Sequence, residues 1–259
     1  MSHHATIWVQ SCSAETDADI WQTYQDSVRR HARKVVRADL EVEFHGLSRT
    51  YPGIDYADSA VQLATLEVVR NAIRAEQQGY AAFAFVSTND AGNREVKELT
   101  GIPAVFIAET AVYLAAQLAA KFAFLTHNGG SRKKMESLTR ERFGLGEKLV
   151  DGASINLTYK EFAAMYDDPA PWLARFEEAA RPVIARGASA LIPAGGPLNM
   201  FFVDHDFREV DGVPLIDIMA VLLKEAEKRV DLRALGMAQR GAPTVTPEQK
   251  EALRGMFLG

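Results

Sequence analysis

The sequence has 259 residues, of which 47% are hydrophobic and 24% charged, and this composition excludes disordered and fibrous classes of protein. Lys and Arg number 29 against 34 Asp and Glu, and the resulting net charge of −5 offers nothing that attracts nucleic acid or an anionic membrane surface. A single cysteine, Cys12, excludes a disulfide framework and fits a reducing, cytoplasmic setting.

Short apolar strands alternate with amphipathic helices along the chain. Asp17 and Asp19 precede the first predicted helix, and Asp58 begins a long helix that ends near Gln78. Strands are predicted over residues 5–9, 40–44, 81–86, 104–107, 122–126, 154–159 and 188–192, and helices over residues 111–120 and 172–186 and after a cap at Ser131. This alternation predicts an α/β fold with parallel sheets flanked by helices. No apolar run approaches the roughly 20 residues of a membrane-spanning helix.

An internal repeat predicts two pseudosymmetric lobes. Gly79-Tyr-Ala-Ala-Phe-Ala-Phe-Val leads to Gly101-Ile-Pro-Ala-Val-Phe-Ile, and Gly187-Ala-Ser-Ala-Leu-Ile-Pro-Ala leads to Gly212-Val-Pro-Leu-Ile-Asp-Ile. The alternative is that any two strand-helix units look alike. The repeat predicts that lobe 1 comprises residues 1–108 and 213–259 and that lobe 2 comprises residues 109–212. We expect an active-site cleft between the lobes, because the loops that follow parallel strands usually bind ligands.

Two of these loops are candidates for anion binding. In the first, Ser87, Thr88 and Asn89 follow a buried strand and offer hydroxyls, an amide and backbone N–H groups to a carboxylate or oxyanion. The second, residues 193–199, contains Gly195, Gly196 and Asn199, and its two glycines let backbone approach a ligand. It matches neither a P-loop nor a dinucleotide fingerprint. For both loops the alternative is an ordinary turn without a ligand.

Other polar side chains follow predicted strand ends. His45 and His127 are candidate proton shuttles, and Asn128 follows the second of them; the alternative is that both histidines are structural or solvated. Further candidates stand in loops. These are Gln10, Ser11 and Cys12, with a small buried hydrophobe as the alternative for the thiol, and Tyr51, with surface packing as the alternative.

No metal site is expected. Asp204-His205-Asp206 has the residue types of a ligand cluster, but three consecutive residues cannot easily face one ion, and a solvated loop is the favoured interpretation.

The loops and strands together resemble the aspartate/glutamate racemase superfamily, specifically its hydantoin racemase-like branch. The resemblance covers residues 5–230 in order and spacing. The resemblance rests on five segments: Phe85-Val-Ser-Thr-Asn-Asp-Ala-Gly, Gly101-Ile-Pro-Ala-Val-Phe-Ile-Ala-Glu-Thr-Ala, Phe122-Ala-Phe-Leu-Thr, Gly187-Ala-Ser-Ala-Leu-Ile and Val213-Pro-Leu-Ile-Asp. The resemblance implies two α/β lobes, no metal or organic cofactor, and one cysteine per lobe that moves a proton at a carbon beside a carboxylate or carbonyl.

Both expected cysteines are replaced, since their positions fall at Ser87 and Gly195. A serine hydroxyl is a far weaker acid than a thiol and needs an adjacent base, and glycine has no side chain. Racemisation by the usual pair of thiols is therefore unavailable. A one-sided carbon-acid reaction remains possible, in which Thr88, Asn89 and backbone N–H groups hold an enolate while His45, His127 or Cys12 moves a proton.

The sequence thus favours a cofactor-independent enzyme that acts on a small carboxylate or cyclic amide by proton transfer. One alternative is a hydrolase, decarboxylase or lyase that uses Ser87 or a histidine-activated water. Another is a binding protein that has lost catalysis.

The last segment is predicted to be a helix that ends near Phe257. Thr246-Pro247-Glu248-Gln249 has the pattern of a capping box with proline at the first helical position. The apolar residues of this helix need a surface to cover. That surface is either the helix's own lobe or a second copy in a homo-oligomer, which we expect the protein to form.

Overall fold

The computed structural model describes residues 5–14, 20–158, 161, 164–239 and 245–259, with residues 20 and 21 described by their backbone alone. It confirms the predicted α/β class with parallel sheets flanked by helices. Contacts divide the chain into two units. The first comprises the described parts of residues 1–18, 29–107 and 222–259, and the second those of residues 19–28 and 108–221.

The first unit is built on a four-stranded parallel sheet with the order β2-β1-β3-β4. Its strands are β1 (Ala5–Ala14), β2 (Leu40–Leu47), β3 (Ala82–Phe85) and β4 (Ala104–Phe106). At the centre Val9 pairs with Phe44 on one side and Ala84 on the other. β3 and β4 are buried along their whole length, as strands covered by helices on both faces must be.

The second unit contains a three-stranded parallel sheet, β6-β5-β7, and a small antiparallel pair. Its strands are β5 (Ala123–Thr126), β6 (Ala153–Ser154), β7 (Leu191–Ala194), β8 (Glu209–Val210) and β9 (Val213–Pro214). Thr126 pairs with both Ser154 and Ala194, so these strands end side by side. The residues after β5 and β7, His127 and Gly195, therefore leave the sheet together.

Nine α-helices are described across the two units. They are α1 (Ile20–Val35), α2 (Asp58–Gln77), α3 (Asn93–Leu99), α4 (Ile107–Leu118), α5 (Gly129–Ser137), α6 (Pro169–Ala185), α7 (Gly196–Asp204), α8 (Ile218–Ala234) and α9 (Pro247–Leu258). In α2, Ala60, Ala64, Val68, Ala72 and Ala75 form a buried stripe at helical spacing against the core of the first unit. No described helix is long and apolar enough to cross a bilayer.

Several predicted boundaries are corrected. The strand predicted over residues 154–159 is only Ala153–Ser154, because Asn156 adopts a φ of +49° and its Oδ1 accepts a hydrogen bond from Gly129 N instead of continuing the ladder. The cap of α5 is Asn128, whose side chain accepts a hydrogen bond from Ser131 N, and not Ser131 itself. Tyr159, Asp17 and Asp19 lie outside the described residues.

The C-terminal helix α9 begins with the predicted capping box. Thr246 Oγ1 accepts a hydrogen bond from Gln249 N, and Gln249 Oε1 accepts one from Thr246 N. Phe257 and Leu258 pack against the core of the first unit, to which α9 itself belongs. These two apolar side chains therefore cover their own unit.

Candidate functional site

The loop after β3 is buried. Ser87, Thr88, Asn89 and Asp90 are each less than 10% exposed. Asn89 closes the turn, since its Oδ1 accepts a hydrogen bond from Ala91 N and its Nδ2 donates one to Ile54 O. Asn89 thus has the role of the ordinary turn, while the hydroxyls of Ser87 and Thr88 are the polar groups at the end of β3.

The structure brings the Cys12 thiol to Ser87. Cys12 lies in the last part of β1, and its thiol shares hydrogen bonds with the hydroxyls of Ser87 and Ser13. Burial, and secondarily the negative charge of Asp55, raises the pKa of Cys12 from its ordinary value of 9.0 to about 12. At neutral pH the only thiol of the chain is therefore protonated, which makes it a proton donor in its resting form.

The predicted loop at residues 10–13 is part of β1. The strand runs to Ala14, and its pairing with β2 is irregular between Gln10 and Ala14. Gln10 fixes this irregular segment, because its Nε2 donates to Ser11 O and His45 O while its Oε1 accepts from Trp8 and Asn71. All four hydrogen-bonding positions of the amide are used, two with backbone oxygens and two with side chains, so the Gln10 side chain is fixed within the fold.

The neighbouring polar residues have lesser roles. Ser11 Oγ accepts a hydrogen bond from Ser13 N at 3.1 Å, which supports the segment that carries Cys12. Tyr51 is partly buried against the core of the first unit. Asp55, four residues later in the same loop, was missed by the sequence analysis, although its charge acts on Cys12.

His45 belongs to a different cluster. It lies within β2, not beyond its end, and its ring stacks on Trp8 with centroids 3.4 Å apart and planes inclined by 9°. Its Nε2 lies 3.5 Å from both Tyr80 Oη and Glu43 Oε1. Burial and the hydrogen bond to Glu43 raise the pKa of Tyr80 to about 12. We assign His45 to this aromatic and acidic cluster on the sheet.

In the second unit, His127 lies beside the glycine turn. A β-carbon on Gly195 would lie 3.6 Å from His127 Cε1 and 3.7 Å from Nδ1. Asn128 orients the ring: its Oδ1 accepts a hydrogen bond from Ser131 N, which leaves its Nδ2 to donate to His127 Nε2 at 2.9 Å. Since Nε2 is an acceptor, the neutral ring carries its proton on Nδ1, the nitrogen nearer Gly195.

Gly195 and Gly196 lack side chains for two different structural reasons. Gly195 has a φ of +125°, which L side chains rarely adopt. Gly196 has no room for a side chain, because a β-carbon there would overlap the Tyr24 hydroxyl and lie 3.2 Å from Tyr24 Cζ. Tyr24 lies in α1, far from these glycines in sequence, and no local sequence pattern marks it as their neighbour.

Asn199 has a structural role in the second unit. It lies inside α7, its Nδ2 donates to Asp217 Oδ1 at 3.0 Å, and its Oδ1 accepts from Ile218 N at 2.9 Å. The side chain thereby joins α7 to the start of α8. The predicted solvated loop at His205 is also corrected, because the ring packs on Phe201 with centroids 4.8 Å apart. Among the described residues no group of His, Cys, Asp or Glu side chains is arranged to hold a metal ion.

Comparison with known proteins places this geometry in context. Residues 22–226 match the family model described as Asp/Glu/hydantoin racemase. A hydantoin racemase of Paenarthrobacter aurescens is 28% identical over 209 residues, which are 80% of this chain and 86% of that protein. A hydantoin racemase of Pseudomonas sp. (strain NS671) is 27% identical over 64% of each chain, so the match spans just under two thirds of that relative.

Solved structures share the fold. The chain resembles an allantoin racemase from Klebsiella pneumoniae with a TM-score of 0.72 and 20% identity, over 91% of this chain and 90% of that one. For an allantoin racemase from Pseudomonas fluorescens the TM-score is 0.74 at 18% identity, over 90% and 93%. An unliganded arylmalonate decarboxylase gives a TM-score of 0.53 at 16% identity, over 87% and 92%.

Proposed function

Because the chain belongs to the Asp/Glu/hydantoin racemase family, we propose that it is a cofactor-independent enzyme that moves a proton at a carbon beside a carbonyl group, through an enolate-like anion. Its substrate class is a small cyclic amide related to hydantoin, or a small carboxylate. The sequence relatives are named hydantoin racemases, and this substrate class follows them.

One observation carries the proposal. Beside each of the two positions where the resemblance expects a cysteine, a neighbouring strand end supplies a side chain that bears a proton. The Cys12 thiol is hydrogen-bonded to Ser87, and the His127 ring lies next to Gly195. The chain thus retains proton-bearing groups at both places without the usual pair of thiols.

The two groups have unequal roles in the proposed reaction. After Cys12 loses its proton to solvent, the thiolate takes the proton from the reacting carbon, and the electron pair of the C–H bond moves to the carbonyl oxygen. His127 Nδ1–H donates a hydrogen bond to that oxygen. Cys12 then returns a proton to the carbon. Ser11, Tyr51, Thr88, Asn128 and the Gly195–Gly196 backbone are proposed as the surrounding substrate contacts.

A deuterium-exchange experiment tests this proposal. Wild-type protein in D2O is incubated with 5-substituted hydantoins, allantoin, aspartate and glutamate, and NMR follows the loss of the carbon-bound proton while chiral chromatography follows inversion. We expect exchange that outpaces inversion, since one thiol serves one face of the carbon. Absence of exchange across the whole panel contradicts the proposal.

Substitutions of Cys12 and His127 test the roles proposed for these two side chains. Cys12→Ala and His127→Asn should each lower the exchange rate about 100-fold, the usual contribution of a positioned acid, base or oxyanion donor. His205→Asn, in which the changed ring packs on Phe201, is the matched control and should exchange at the wild-type rate. The internal sequence repeat predicts that Cys12 and His127 act on the same substrate molecule. The double variant tests this prediction, because two groups that act in the same reaction lower the exchange rate non-additively.

Decarboxylation is a second candidate, and the protonated state of Cys12 favours it. Loss of CO2 from an arylmalonate breaks a C–C bond, leaves its electron pair on the enolate and needs only a proton donor, after which the thiolate regains a proton from water. The pH dependence separates the two reactions. Exchange needs the thiolate and should rise about tenfold per pH unit from pH 7 to 10, while CO2 release should not rise, because the pKa of Cys12 is about 12.

A further inference from the structure

The hydroxyl of Tyr24 stands at the second unit's glycine turn. Tyr24 lies in α1 and is 7% exposed. Of its atoms, the hydroxyl oxygen makes the closest approach to Gly196, since a β-carbon on this glycine would overlap the oxygen while remaining 3.2 Å from Cζ. The absence of a side chain at Gly196 thus makes room for the Tyr24 hydroxyl oxygen.

Ser27, three residues along the same helix, adds an independent observation. It is 1% exposed, and its Oγ has no hydrogen-bond partner among the residues that the structure describes. Residues three apart share a helix face, so Ser27 lies on the same side of α1 as Tyr24. A buried hydroxyl without a partner is unfavourable and calls for a polar group from outside the fold.

We propose that the Tyr24 hydroxyl is a substrate contact that, with His127 Nδ1–H, forms a pair of donors for the enolate oxygen, with Ser27 completing this polar surface. The two donors flank adjacent glycines, His127 beside Gly195 and Tyr24 beside Gly196. A phenol is neutral at pH 7 and donates without a cost in charge. The ligand is a carbonyl oxygen that gains negative charge during the reaction. This inference rests on the proposed function.

Tyr24→Phe is the direct test, because it keeps the ring against Gly196 and removes only the oxygen. In the deuterium-exchange assay with 5-benzylhydantoin, kcat should fall about 100-fold with KM changed less than threefold, as for other oxyanion donors. Tyr113→Phe is the matched control: Tyr113 belongs to the same unit, contacts Phe143 and is 44% exposed. It should exchange at the wild-type rate.

If Tyr24→Phe has a lower melting temperature than wild type, a second variant separates a loss of catalysis from a loss of stability. Ser27→Ala removes an unpartnered buried hydroxyl, so we expect an unchanged or higher melting temperature together with a severalfold loss of kcat. If the wild type is active and kcat is unchanged in both variants, the role proposed for Tyr24 is wrong, while the proposed function is unaffected. A wild type that exchanges no member of the panel removes both.

Discussion

At the scale of single residues, the fold strongly changes the acid–base chemistry of Cys12. Burial and Asp55 raise the pKa of its thiol, although hydrogen bonds from Ser87 and Ser13 act in the opposite direction. The balance keeps the thiol neutral, whereas a reactive cysteine usually sits in an electropositive setting that lowers its pKa. Cys12 is therefore suited to hold a proton and not to attack a substrate.

The thiol should consequently react slowly with alkylating reagents. A rise in pKa from 9.0 to about 12 lowers the thiolate fraction below pH 9 by about 1,000-fold. Iodoacetamide labelling at pH 8, followed by mass spectrometry, should be slower by about that factor than labelling of the same chain unfolded in urea. Equal rates in the two states would show that the thiol is not held protonated.

The sequence suggests part of the proposed site. The Ser87 loop and His127 are candidates because polar residues follow apolar strands, a pattern visible without coordinates. The roles of Gln10, Asn199 and Tyr24 are not visible in this way, because each depends on a partner distant in sequence: Asn71 for Gln10, Asp217 for Asn199 and Gly196 for Tyr24. A single sequence carries no signal for such pairings.

At the scale of elements, α9 is held to α2 and α3 by a small set of polar contacts. Arg254 pairs with Glu76 and donates to Leu99 O at 2.8 Å, and Arg70 Nε donates to Phe257 O at 2.7 Å. Glu76 also accepts a hydrogen bond from Gly101 N. One carboxylate therefore joins α9 to the turn after α3.

Loss of this contact should weaken the fold. Arg254→Ala leaves Glu76 without its cation in a site where the two side chains are only 13% and 22% exposed, and we expect a loss of about 2 kcal/mol in the free energy of unfolding. Urea denaturation measures it. Arg181→Ala breaks two ion pairs, with Glu177 and Asp211, in which the arginine is 52% exposed, and this control should lose no more than about 0.5 kcal/mol. Equal losses would refute the role given to Arg254.

Elements differ in how far their sequences determine them. The capping box of α9 was predicted to the residue, because Thr246 and Gln249 act within one turn of helix. The cap of α5 was misplaced by three residues, since Asn128 and Ser131 both suit a helix start and only the backbone geometry chooses between them. The strand predicted over residues 154–159 ends at Ser154, because Asn156 leaves the extended conformation.

At the scale of the whole molecule, stability should fall in alkaline solution. Between pH 9 and 12 the folded chain keeps the proton of Cys12 while the unfolded chain loses it, so the free energy of unfolding falls by at most about 1.4 kcal/mol per pH unit from this group. Tyr80, with its pKa raised to about 12, adds an effect of the same sign above pH 10.

Denaturation curves at half-unit steps from pH 7 to 10.5 measure this decline. Cys12→Ser removes the first contribution, so the variant should hold its stability between pH 9 and 10 while wild type loses it. A wild-type curve that is flat to pH 10 would contradict the raised pKa.

The class of fold followed from the sequence because alternating apolar strands and amphipathic helices leave few packing solutions. The predicted homo-oligomer involves a surface rather than a core, and surfaces leave no periodic signal. It stays a prediction, which light scattering tests against the mass of one chain.

The backbone at Gly195 also bears on which residues this turn accepts. With φ at +125°, any other L-amino acid there costs about 1–3 kcal/mol. A cysteine introduced at Gly195 would therefore cost folding stability before its thiol could contribute to activity. The turn thus favours reactive side chains that its neighbours supply, such as His127, over one of its own.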